Sequence, residues 1–245
     1  MGSRTIESSP QFYARIAGVL YLIIIALGIF GEMFVRSNLI VAGNATATAT
    51  NIMASETLWR LGSTGQLVML LCAIPLAVIM YVFLRPVDKS VAILALLFNC
   101  VAIAVEALNN LQLFTVLQSL SGAEYLTAFE PQQLHALATL AIKTHGLGYS
   151  ISLLFFGFNC LAWGYLIYKS GFFPRVIGVM LIVCWLCYTV NSFAWFLAPK
   201  FGAVLFPAIV LPCFVAELSL CLWLLFKGLD VAKWQAQLRQ TILSD

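Results

Sequence analysis

Charge is what this sequence has least of. Asp, Glu, Lys and Arg make up 9% of its 245 residues, while 62% are hydrophobic. A soluble domain carries roughly 25% charged residues, so an ordinary water-soluble globule is excluded: its surface would be uncovered. Disorder is excluded by the same two figures, because it needs low hydrophobicity and high charge. A coiled coil needs far more Glu and Lys. Histidine is scarce too, with two in the chain. Without an HExxH or any paired ligand spacing, no metal centre and no cofactor are expected. No GxSxG elbow, P-loop or dinucleotide fingerprint occurs. The net charge of +3 comes without any Lys/Arg cluster, which argues against nucleic acid as a partner. The seven cysteines all fall in apolar stretches, so they do not form a secreted disulfide framework. Cys184 and Cys187 make a CxxC inside such a stretch, where thiols behave as small hydrophobes.

What the chain does have is long apolar runs. A bilayer core of roughly 30 Å needs about 20 helical residues, and six stretches qualify. They run over about 14–35, 58–84 (with Pro75 as a kink), 91–117, 146–168, 173–197 and 203–226. The expected fold is therefore all-α, an integral membrane bundle of six transmembrane helices. Its domain is 14–228, between tails at 1–13 and 229–245. The link between the first two spans reads as a turn or loop over Asn44–Thr50, with a helix beginning in 51–60. The link between the third and fourth carries Glu130-Pro131, a helix start. Leu134, Leu137, Ala138 and Ala141 follow at helical spacing. That predicts a short interfacial helix, able to bend at Gly146 and Gly148 where it meets the fourth span.

Six spans put both termini on one side. Nine Lys/Arg fall on that side (Arg4 and Arg15 among them) and four on the other, namely Arg36, Arg60, Lys143 and Lys200. The positive-inside rule makes the termini cytoplasmic. The lipid bilayer is the expected partner, and a homo-oligomer stays open.

Polar groups inside the spans carry the functional signal, because an intramembrane carboxyl is costly unless it is paired or near water. Glu32, Glu106 and Glu217 lie within spans. Asn99, Glu106 and Asn110 are seven and four residues apart and share a helix face, which should point into the bundle. Glu106 lies about 22 Å along its helix, in the outer half. Glu217 shares a face with Cys213 and Cys221, and Asn191 with Tyr188 and Trp195. His145 begins the fourth span. These positions suit an outward-opening polar cavity with Glu217 at its floor. Glu106 and Glu217 are the candidate catalytic carboxyls. Arg60, Asn110, His145, Asn191 and Glu32 are the candidate ligand-binding residues. Glu32 can pair with Arg36 one turn on and form a surface tie with Arg60, whose guanidinium suits an anionic head group.

Several segments resemble the DUF4386 family of bacterial membrane proteins of unknown function. They are RIAGVLYLIIIALGIFGEMFVRSNLIV (Arg15–Val41), NATATATNIMASETLWRLG (Asn44–Gly62), YVFLRPVDKSVAILALLF (Tyr81–Phe98), HGLGYSISLLFFGFNCLAWGYLIYKSGFFPRVIGVML (His145–Leu181) and FVAELSLCLWLLFKG (Phe214–Gly228). The family pattern often has Asp at Asn44 and Arg at Asn99, so this chain departs from it there. The resemblance implies a bacterial inner-membrane protein and supplies no catalytic residues. Function is left between four readings. The first is binding of a small or lipid-like molecule in the polar cavity. The others are a membrane enzyme using buried carboxyls for acid/base chemistry on an apolar substrate, a proton-coupled carrier, and a structural subunit.

Overall fold

The computed structural model describes residues 5–244; residues 1–4, with Arg4 and the start of the expected tail, and Asp245 lie outside the described residues. Every regular element among the described residues is helical. Six helical stretches are long and apolar enough to cross a membrane: Pro10–Leu39, Glu56–Leu84, Lys89–Ser119, Pro131–Ser170, Arg175–Leu197 and Ala208–Phe226. The protein is a multi-pass membrane protein.

The first span starts as α1 (Pro10–Ile29), widens into a π-helical segment (Phe30–Arg36) and ends as α2 (Ser37–Leu39). Then follow α3 (Ala45–Ala54) and α4 (Glu56–Leu84), which continues through Pro75. The third span is α5 (Lys89–Asn109) and α6 (Leu111–Ser119). The fourth is α7 (Pro131–Ser170) and the fifth α8 (Arg175–Leu197). A short α9 (Pro199–Leu205) precedes α10 (Leu211–Phe226), and α11 (Val231–Ser244) closes the chain.

Three local expectations need correction. The segment expected as a turn is most of α3: the Asn44 side chain accepts from Ala47 N–H at 2.9 Å, an N-cap that outweighs the weak helix propensity of its threonines. The link before the fourth span holds a 3₁₀ turn at Glu124–Ala128, and no separate interfacial helix follows it. Instead α7 is continuous for 40 residues, because Gly146 and Gly148 cost helix propensity without breaking the hydrogen-bond ladder. The sixth span is shorter than 203–226, since the chain turns at Pro207 before α10. Beyond these three, the segment after 228, for which no secondary structure was expected, forms the helix α11.

The chain divides into two compact units. The terminal unit holds 5–23, 72–103 and 150–244. Helices α7 and α8 approach closely there. A Cβ on Gly164 would lie 2.7 Å from the Gly178 carbonyl oxygen, the small-residue packing expected where no hydrophobic force drives helices together in lipid. The carbonyls ending α10 are capped by α1: Arg15 Nη1 donates to Leu224 O at 3.2 Å and to Leu225 O, and Gln11 Nε2 to Lys227 O at 2.6 Å. Trp234 anchors α11, fully buried, edge-on to Phe83, with Nε1 donating to Phe83 O at 3.0 Å. Asp230 caps the same helix through Lys233 N–H at 3.2 Å.

The medial unit holds Ile24–Leu71 and Ala104–Tyr149. Its apolar core joins Val35, Leu39, Ile52, Trp59, Leu113 and Val116. Trp59 Nε1 donates to Leu113 O at 2.8 Å, so the largest core side chain also satisfies its one polar atom.

Candidate functional site

The medial unit gathers polar side chains from four of the six spans. Glu32 and Arg36 sit on the π-helical segment, whose wider turn is marked by Ser37 N–H bonding back to Glu32 O. Such segments recur at functional positions. Arg36 Nε donates to Glu32 Oε2 at 2.7 Å, and Arg36 Nη1 to Gln66 Oε1 at 3.1 Å. Gln66 Nε2 in turn donates to Glu106 Oε1. Asn109 Nδ2 reaches Glu106 Oε2 at 3.2 Å and His145 O at 2.9 Å. His145 Nε2 lies 3.5 Å from Glu106 Oε1. The result is a continuous polar chain, from the half-exposed carboxylate of Glu32 to Glu106 and His145, which are 2% and 5% exposed.

Local sequence places each member. The third span pauses at Asn110, where Leu113 N–H bonds back three residues to Asn110 O and the helix resumes as α6. That turn sets Asn110 Nδ2 on Ser63 O at 3.1 Å. Gly148 admits the Asn109 side chain, which occupies the space a Cβ there would need. A Cβ on Gly62 would lie 2.9 Å from Val35, so this glycine lets α4 close on the π-helical segment. Beside Arg36 a tight groove, without room for a water molecule, runs between Gly31, Trp59, Gly62 and Ser63. Two buried polar atoms of this unit make no hydrogen bond, Asn110 Oδ1 and His145 Nε2.

The sequence-selected residues fall into two groups. Glu32, Glu106, Asn110 and His145 belong to the medial unit; Glu217 and Asn191 belong to the terminal unit. Glu217 Oε1 accepts from Tyr188 OH at 2.6 Å. The Tyr21 hydroxyl lies beside the same carboxyl without an aligned bond. Glu106 and Glu217 have no hydrogen-bond partner in common. Asn191 is 3% exposed and its Oδ1 is unpartnered. The Glu32–Arg36 pair forms as expected, but the tie to Arg60 does not: Arg60 is exposed and pairs with Glu56 at 2.6 Å, which is one turn away on the same helix and nearer than Glu32. The stripe of Asn99, Glu106 and Asn110 does face inward, each residue being at most 4% exposed.

Gln66 is the member that periodicity missed, and with it the tie that joins Arg36 to Glu106. The signal was present in Trp59, Ser63 and Gln66, which repeat at four and three residues on one face of α4. No group of three or more His, Cys, Asp or Glu able to hold a metal ion occurs among the described residues.

The chain is similar to an uncharacterized protein of the archaeon Archaeoglobus fulgidus, with 27% identity over 166 residues, covering 67% of this chain and 82% of that protein. No solved structure matches. The family described as a domain of unknown function, DUF4386, matches residues 16–228, nearly the whole span-bearing chain, and the protein belongs to that family.

Proposed function

We propose that the medial unit's polar network is the binding site of a small or lipid-like molecule in a cytoplasmic membrane, with the site facing outward and both termini cytoplasmic. The observation that carries this reading is the chain Glu32–Arg36–Gln66–Glu106–His145. A structural role needs only pairwise ties between helices, which are worth on average about 0.6 kcal/mol in membrane proteins. Here one cation, two carboxylates, two amides and an imidazole from four spans form one run. It leads from a half-exposed group at a crevice to a buried end, and such convergent polar groups in an apolar setting are the usual form of a small-molecule site. The Lys/Arg asymmetry supports the orientation.

Adding an extract of the native membrane back to delipidated protein tests this reading. We expect the extract to raise the melting temperature of the wild type and of Glu217→Gln, and to leave Glu106→Gln unmoved. Equal stabilisation of all three contradicts the assignment.

A further inference from the structure

We infer that Arg36 receives the compact anionic head group of a membrane amphiphile, and that Glu32 is the resident carboxylate which this head group displaces. The inference rests on the reading of the medial network as a ligand site and names the ligand class.

Four observations converge on it. Arg36 is the one cation in the network, and its bonds to Glu32 and Gln66 use Nε and Nη1; a guanidinium offers five N–H donors in a fork suited to carboxylate or phosphate. The Glu32 side chain is 49% exposed and that of Arg36 17%, and an ion pair with one exposed, flexible partner is weak. Glu32 therefore exchanges readily, while Gln66, 7% exposed, keeps the guanidinium aimed. Arg36 lies three residues before the end of the first span at Leu39, about 4.5 Å by helical rise, which is the depth of lipid head groups. Met33, Phe34 and Leu61 are each more than half exposed on the neighbouring helix surfaces, an apolar wall along which an acyl chain can stay in the bilayer. A phosphate monoester offers the guanidinium fork three acceptor oxygens and up to two negative charges, where a carboxylate offers two oxygens and one charge, so the head group is a phosphate.

Delipidated protein in a neutral maltoside, titrated with dioctanoyl phosphatidate and followed by native mass spectrometry, tests this. Dioctanoylglycerol, octanoate and inorganic phosphate are the parallel probes. We expect one phosphatidate per chain, binding at least threefold tighter in Glu32→Gln, at least tenfold weaker in Arg36→Gln and intermediate in Arg36→Lys. Lys200→Gln, which removes an equal charge elsewhere, should bind as the wild type. If Arg36→Gln does not yield folded protein, the gain in Glu32→Gln carries the test alone. Unchanged affinity in Glu32→Gln, or equal binding of dioctanoylglycerol, overturns the inference. Preference for octanoate overturns the phosphate assignment, and inorganic phosphate binding as tightly as phosphatidate overturns the lipid source. If the Arg36 variants bind normally while Glu106→Gln still loses its response to membrane extract, the site stands and this inference fails. If neither position matters, both fail.

Discussion

His145 Nε2 stands 3.5 Å from Glu106 Oε1, with both side chains almost fully buried. Their contact joins the fourth span to the third at the closed end of the polar network. Glu106 accepts from Gln66 and Asn109 as well, so it is the hub and His145 the end. Replacing the hub orphans two buried donors, each costing about 1–3 kcal/mol, whereas removing His145 breaks no aligned hydrogen bond at Nε2. Glu106→Ala should therefore lower stability by about 2 kcal/mol or more, and His145→Ala by no more than about half of that. Unfolding in mixed micelles measures both; equal losses would show that Glu106 is not the hub.

The seat of Asn109 predicts a contrast between two glycines two residues apart, on opposite sides of α7. A Cβ at Gly148 runs into the Asn109 side chain, while one at Gly146 meets nothing within 4 Å. Gly148→Ala should cost about 1–3 kcal/mol through overpacking and release Asn109 from Glu106. Gly146→Ala should be neutral or stabilising by up to about 1 kcal/mol from helix propensity. Melting curves of the two variants decide it, and a stable Gly148→Ala would mean that Asn109 is not held there.

The terminal helix should be held by Trp234. Trp234→Ala removes a fully buried ring and should cost about 3–5 kcal/mol or undock α11 outright. Trp234→Phe keeps the ring contact with Phe83 and loses only the bond to Phe83 O, a loss of about 1 kcal/mol. Limited proteolysis after 228 reports docking. If Trp234→Ala is as resistant as the wild type, other contacts hold the helix.

Asp230 makes the start of α11 sensitive to acid. The side chain and N–H of Lys233 hold its carboxyl below the usual aspartate range. A depressed value means that the folded state favours the charged form. Its contribution is thus complete above the ordinary aspartate pKa of about 3.9 and is lost as pH falls through the lower folded value. Hydrogen exchange at residues 231–234 should rise across that acidic window in the wild type. It should be raised at every pH in Asp230→Ala and be insensitive to pH there. A flat profile in the wild type would rule out Asp230 as the cap.

The spans were legible because nothing but a bilayer explains six long apolar runs in so weakly charged a chain. The inward stripe of Asn99, Glu106 and Asn110 was legible because helical period alone fixes a shared face. The pairings were not. Periodicity says which side chains share a helix face, but not which face of another helix they meet. Gln66 therefore went unnoticed, and Arg60 was matched to Glu32 rather than to its own neighbour Glu56. Glu217 was placed on the inward face of its helix, yet its partner Tyr188 belongs to a different unit from the partners of Glu106. Helices α3 and α11 were hidden for a different reason: both are short and lack a long hydrophobic run, and local ties such as the Asn44 cap and the buried Trp234 help to fix them.

Native mass spectrometry of the protein extracted gently from its own membrane bears most directly on the claim that the medial network is a ligand site. The account predicts a stoichiometric extra mass on the wild type that persists in Glu217→Gln and disappears in Glu106→Gln and Arg36→Gln. A bare chain in the wild type, or a mass retained equally by all four proteins, would contradict it.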